Sequence, residues 1–196
     1  MKGSNRVKIR KTEVLSDDWY TLKKTTFDYL RRDGTWQTQS RETYDRGNGA
    51  TILLYNLQMQ SVILIKQFRY PSYVNGNCDG LLIEAPAGLL EADSPEQSIR
   101  KEVAEETGFH IEPPQKVLEA YMSPGSVTEK LYFFIAPYTH HQRKNEGGGQ
   151  KEEGEDIEVL ELSFSQAMQL IQDGSIKDGK TIMLLQYAAL YIFSEK

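Results

Sequence analysis

The first half of the chain reads as strands. Val7 and Ile9 alternate with charged residues, so Arg6–Lys11 is expected to be an exposed strand. Trp19–Leu30 is rich in Thr and aromatic residues, Arg32-Asp33-Gly34 is a turn signal, and Trp36–Tyr44 continues as the second arm of a hairpin. Asp45–Gly49 is a tight, Gly-rich junction. Two apolar runs, Ala50–Leu57 and Ser61–Phe68, flank Gln58-Met59-Gln60 and predict a hairpin of buried strands. Pro71–Gly80 reads as a loop and Leu81–Ala85 as a short apolar strand leading into Pro86-Ala87-Gly88. Val117–Tyr121, Lys130–Pro137 and Ile157–Leu162 read as further strands.

Helical signals punctuate this pattern. Ser94-Pro95-Glu96-Gln97 is a capping box with Pro at the first helical position, and Gly108 is the matching stop, which predicts a helix over Pro95–Thr107. Ser163-Phe164-Ser165-Gln166 is a second capping box, opening a helix whose Ala167, Leu170 and Ile171 share one face. A last helix is expected over Thr181–Phe193, too short to span a bilayer and interrupted by Gln186. Asn145–Asp156 holds Gly147, Gly148 and Gly149 followed by acidic residues, the composition of a mobile loop. Strands with a few helices, not strictly alternating, indicate α+β layers around a mixed sheet. Residues 1–45 are set apart as an N-terminal strand region, ahead of a main domain over 46–196.

Composition narrows the function. With 196 residues the chain can bury a core without staples. Its net charge of −5 argues against a general nucleic-acid binder and means that an anionic substrate needs a cation to mediate. A single cysteine, Cys78, excludes an internal disulfide and suits a reducing compartment such as the cytoplasm. Met1–Lys11 carries five basic residues but lacks the apolar stretch of a secretory signal, and no segment reads as a membrane span.

The chemistry concentrates on the Pro95–Thr107 helix. Glu102, Glu105 and Glu106 stand at i, i+3 and i+4, so their carboxylates share a face in the last turns, where the helix dipole disfavours negative charge. That face borders the apolar stripe of Ile99 and Val103. It reads either as a solvated face of good helix formers or as a site for a hard divalent cation, for which carboxylate oxygens are suitable ligands.

The stretch from Gly88 to Phe109, Gly-Leu-Leu-Glu-Ala-Asp-Ser-Pro-Glu-Gln-Ser-Ile-Arg-Lys-Glu-Val-Ala-Glu-Glu-Thr-Gly-Phe, resembles the Nudix box, G-x5-E-x7-R-E-U-x-E-E-x-G-U with U apolar. The metal-binding half matches in full over Glu102–Phe109. The N-terminal half departs: Ser94 stands where the first Glu is expected, with Asp93 or Glu91 as substitutes, and Lys101 replaces the usual Arg. Three more segments, Asp45–Asn56, Met122–Glu129 and Glu155–Leu162, extend the resemblance over nearly the whole chain to the GDP-mannose hydrolase subgroup, beside the ADP-ribose hydrolases.

That resemblance implies an α/β/α layered mixed sheet with an N-terminal antiparallel strand domain, swapped across a homodimer. It implies cleavage of a nucleotide sugar at its pyrophosphate, GDP-mannose giving GMP and mannose 1-phosphate. Glu102, Glu106, Glu155 and the Ala87 carbonyl would hold two or three Mg2+ ions, with Mn2+ as a substitute, and Glu106 would be catalytic through the metal. Glu129 would be the base that activates water, with Glu152 and Glu153 in reserve. Arg69, Lys180, Ala87 and Gly88 would contact the substrate, Arg69 by forking two phosphate oxygens, while Trp19 and Arg41 would reach into the partner's site. Without the resemblance, Glu129 reads as an exposed loop acid, Trp19 as a core aromatic and Arg41 as a solvated strand charge. His110, His140 and His141 read as surface residues and Cys78 as inert. ADP-ribose hydrolysis and a non-catalytic nucleotide-sensing module are the competing readings.

Overall fold

A computed structural model of the protein describes residues 6–90 and 92–194, apart from the side chain of residue 153. The expectations placed on Glu91 and on the Glu153 carboxylate therefore lie outside the described residues. The chain divides into two compact units, one formed by the residues up to Asn48 with Tyr121–Lys130, the other by Gly49–Ala120 with Leu131 onward.

The first unit is built on an antiparallel sheet of β1 (Val7–Asp17), β2 (Thr21–Leu30) and β3 (Trp36–Asp45), in that order. The register pairs Tyr29 with Val7 on one side and with Gln37 on the other. The segment returning at Tyr121–Lys130 is stitched to the end of β3: Tyr44 donates its N–H to the Ser126 carbonyl at 2.8 Å, and Thr128 donates its hydroxyl to Asp45 Oδ1 at 2.9 Å. No residue of the three strands is buried.

The second unit is a seven-stranded mixed sheet between helices. Its path is β10 (Glu158–Ser163), β5 (Ser61–Phe68), β4 (Gly49–Asn56), β9 (Lys130–Pro137) and β8 (Gln115–Tyr121), with β6 (Leu81–Glu84) on β5 and β7 (Ala87–Leu89) on β4. β4 runs parallel to β9 and antiparallel to β5. Both faces of β4 are covered, so its first six residues are all buried. Alternation along the strand sends Ala50, Ile52 and Leu54 toward Ile99 and Val103 of α2 (Pro95–Thr107), in a core closed by Phe109, Phe134 and Tyr138. The opposite face packs beneath α4 (Gly179–Tyr191), whose Leu184, Leu185 and Ala188 are fully buried; α3 (Phe164–Gln172) covers β10 and β5.

The caps seen in the sequence set the helix limits. Ser94 and Gln97 exchange the bonds of a capping box, and Gly108 ends α2 at φ 76°. Ser163 and Gln166 do the same for α3.

Three expectations are corrected. Pro71–Gly80 is not all loop, because Tyr70–Val74 forms the short helix α1. Pro86-Ala87-Gly88 does not simply lead away from a strand; Ala87–Leu89 pairs with Gly49–Thr51. The Gly-rich acidic segment is not a free loop. Gly148 and Gly149 donate their N–H groups to the carbonyls of Glu106 and Glu105 at 2.9 and 3.1 Å, satisfying acceptors that the end of α2 leaves open.

Candidate active site

The ribbon Glu84–Gly88 is anchored almost atom by atom. Pro86 offers its carbonyl to the Ile52 N–H and the Thr51 hydroxyl, each at 3.0 Å. Ala85 donates its N–H to Thr181 Oγ1 at 2.6 Å, and Ala87 donates its N–H to Glu106 Oε2 at 3.1 Å. Gly88 lies so close to α2 that a Cβ there would overlap the Glu102 carboxylate, which explains a glycine at this position without any appeal to backbone strain.

Glu102, Glu105 and Glu155 line one small pocket of about 50 Å³ with Leu89, Lys101 and Gln150. Asp93 also lines this pocket. Glu106 lies beneath, only 2% exposed. Burial pushes its carboxyl well above the usual range, the neighbouring charges of Glu102 and Glu155 push it further, and the Ala87 N–H and Arg69 offset only part of this. Glu155 reaches the group from the acidic segment, its Oε2 accepting the Gln150 N–H at 2.8 Å; a Cβ on Gly149, at φ 76°, would collide with that carboxylate.

This donor set fits a divalent cation. Its carboxylates are hard oxygen donors, the charges of Glu102 and Glu155 act on Glu106, and the glycine at position 88 leaves room for the Glu102 carboxylate. Among the described residues no three side chains are gathered closely enough to enclose a metal by themselves. Backbone oxygen, water and substrate oxygens would complete the shell, which is the usual habit of Mg2+.

Arg69 and Lys180 lie in the same unit, but not as expected. Arg69 does not hold its fork open for two phosphate oxygens. Its Nε and Nη2 donate to Glu84 Oε1 and Oε2, both at 3.0 Å. Lys180 Nζ pairs with Glu84 at 2.7 Å and with Asp178 at 3.0 Å. Glu84 is 2% exposed. Burial opposes its ionisation, yet Lys180 and Arg69 outweigh that and hold its carboxyl below the usual range. Sequence reasoning missed Glu84; the available signal was a charged residue closing an otherwise apolar strand ahead of Pro86-Ala87-Gly88.

Trp19, Arg41 and Glu129 belong to the other unit. Trp19 is no core aromatic: it is 81% exposed and meets Tyr20 edge-on. Arg41 is an exposed side chain of β3 that bonds the Ser40 carbonyl at 2.8 Å. Glu129 is not a free loop acid. Its side chain is 15% exposed and pairs with Arg46 Nε at 3.7 Å. His110, His140 and His141 are exposed, with His140 bonded to Glu161 at 2.9 Å, and Cys78 is exposed.

Residues 6–44 match the GDP-mannose pyrophosphatase NudK N-terminal domain, and residues 45–185 match the NUDIX domain. A GDP-mannose pyrophosphatase of Enterobacter sp. (strain 638) is 55% identical over 184 residues, 94% of this chain and 95% of that protein. One from Yersinia pestis (strain Pestoides F) is 56% identical over 92% of this chain and 90% of its own length. Among solved structures, an ADP compounds hydrolase superposes with a TM-score of 0.71 over 98% of this chain and 97% of its own at 16% identity, a likeness of fold. With the NUDIX domain covering most of its length, an intact E-U-x-E-E-x-G-U run on a capped helix, and relatives alike over more than nine-tenths of the chain, the chain belongs to the Nudix hydrolase family.

Proposed function

We propose that the protein hydrolyses the pyrophosphate of GDP-mannose to GMP and mannose 1-phosphate in a Mg2+-dependent reaction, Mn2+ serving as a substitute. The observation that carries this reading is that Glu106 and Glu102 meet the Ala87–Gly88 ribbon while the charge of Glu155 acts on Glu106, in a protein whose near full-length relatives are GDP-mannose pyrophosphatases. Bound divalent cations would supply charge neutralisation for the diphosphate and a more acidic water. Glu102, Glu106, Glu155 and the Ala87 carbonyl would hold them. The Ala87–Glu106 hydrogen bond orients one ligand before substrate arrives. Arg69 and Lys180 contribute cationic hydrogen-bond donors to substrate oxygens. Glu129 accepts the proton of the attacking water as a new P–O bond forms and the bridging P–O bond breaks, the bridging oxygen leaving with the other phosphate.

The same reading makes the protein a homodimer with residues 1–45 exchanged between subunits, so that Trp19 and Arg41 contact the nucleotide in the partner's site. The support is the bare N-terminal sheet: three strands without a buried residue are not independently stable and require cover. The lone exposed thiol of Cys78 fits the reducing cytoplasm.

Initial rates on GDP-mannose and ADP-ribose, each with Mg2+ and with chelator, test the proposal. It expects the higher specificity constant on GDP-mannose and no turnover in chelator. Equal or reversed preference removes the substrate assignment, and no turnover of either substrate turns the site into a nucleotide sensor.

A further inference from the structure

Arg69 and Lys180 come from distant parts of the chain and meet on one buried carboxylate. Glu84 uses one oxygen for Arg69 Nε and the other for both Arg69 Nη2 and Lys180 Nζ. Lys180 is shared with Asp178, whose other oxygen accepts the Thr181 hydroxyl at 2.6 Å. Thr181 in turn accepts the Ala85 N–H. The end of β6 is thereby riveted to the start of α4, three residues before Ala87 takes hold of Glu106.

Two cations and two carboxylates balance, so the cluster adds no net positive charge that would draw in an anion. What it adds is orientation. A bidentate carboxylate fixes both the position and the plane of a guanidinium, and it engages only one edge of it. The side chain of Arg69 remains 41% exposed, and its charge is felt by Glu106.

We propose that Glu84 is a positioning residue for the substrate: by clamping Arg69 through Nε and Nη2, with Lys180 as the balancing cation, it presents the Nη1 edge of Arg69 to a diphosphate oxygen beside the carboxylate cluster. This rests on the reading of Arg69 as a substrate-binding group. Glu84 itself touches no reacting atom.

The test is a double-mutant cycle on the full chain. Calorimetric binding of GDP with Mg2+ and steady-state kinetics on GDP-mannose are measured for wild type, Glu84→Gln, Glu84→Asp, Arg69→Ala and the Glu84→Gln/Arg69→Ala pair, with a melting curve for each. Glu84→Asp keeps the charge but is too short to serve both cations, and it carries the test if Glu84→Gln fails to fold. Each single change should weaken GDP and raise KM by about tenfold, the worth of one charge-assisted hydrogen bond, with kcat within about threefold. Because Glu84 acts through Arg69, the double variant should be no more than about twofold weaker than Arg69→Ala alone. Multiplying losses, or wild-type GDP affinity in either Glu84 variant, overturns the proposal. Coupled GDP binding without cleavage of GDP-mannose leaves Glu84 in place and defeats the substrate reading instead. A wild type that binds no GDP overturns both.

Discussion

The backbone N–H of Ala87 donates to Glu106 Oε2 at 3.1 Å, joining the Pro86-Ala87-Gly88 ribbon to the last turn of α2. It gives one carboxylate oxygen a fixed partner in an environment that otherwise disfavours its charge. Burial, then Glu102, then Glu155 raise the Glu106 pKa, and a group raised in this way stabilises the fold below its ordinary value of 4.5 and loses that contribution as pH rises through the folded value.

Without metal, Glu106 is therefore a strained residue at neutral pH. Glu106→Gln keeps an oxygen for the Ala87 N–H and removes the charge. In chelator near neutral pH it should melt at or above wild type, by up to about 1 kcal/mol or roughly 2–4 °C in a chain of this size. The advantage should vanish below the ordinary carboxylate pKa. Saturating Mg2+ should raise the Tm of wild type more than that of the variant. Equal stabilisation of both by Mg2+ would make Glu106 a structural residue.

Glu84 titrates with the opposite sign. Its folded pKa is depressed, so its contribution is complete above the ordinary value of 4.5 and is lost as pH falls through the folded value. Glu84→Gln removes the carboxylate that Arg69 and Lys180 share, but Lys180 keeps Asp178 and Arg69 stays partly exposed, so the change should cost about 1–2 kcal/mol at neutral pH. Melting curves taken downward in pH should show the gap to wild type closing below that value.

Gly88 and Gly149 leave room for two carboxylates of the proposed metal site. A Cβ at Gly88 would overlap the Glu102 carboxylate, and one at Gly149 the Glu155 carboxylate. Gly88→Ala should raise the Mg2+ concentration for half-maximal rate by about tenfold or more, in the range seen when groups supporting a metal ligand are lost. Unchanged Mg2+ dependence would show that Glu102 can move aside at no cost.

Glu129→Gln should lower kcat by ~10²–10⁴-fold with little change in substrate affinity, the effect expected for a lost proton acceptor. Near wild-type turnover would pass that role to another acid, and Glu152 and Glu153 would be tested next.

Composite sites can be checked by complementation. Arg41→Ala and Glu106→Gln chains, each of low activity, should regain activity when mixed under conditions of proven subunit exchange, because a hybrid dimer holds one intact site. Absence of recovery removes the exchanged arrangement.

Much of the local architecture was legible in the sequence because its causes are local. The ends of α2 follow from Ser94, Gln97 and Gly108, and the shared face of Glu102 and Glu106 follows from helical spacing. The hairpin of β4 and β5 follows from two apolar runs around a short polar turn. Tertiary structure alone decided what depends on partners far along the chain. Helical spacing treats Glu105 and Glu106 alike, but packing against the Ala87 ribbon buries Glu106 and leaves Glu105 lining the pocket. Gly147–Gly149 has the composition of a free loop, yet the open carbonyls of α2 hold its backbone. Arg69 and Lys180 read as cations waiting for phosphate, and only the fold places the Glu84 carboxylate, 15 residues from one and 96 from the other, between them. Caps, turns and periodicity act within a few residues and leave a mark in sequence, whereas a buried ion pair is fixed by desolvation at a point in space that no local pattern records.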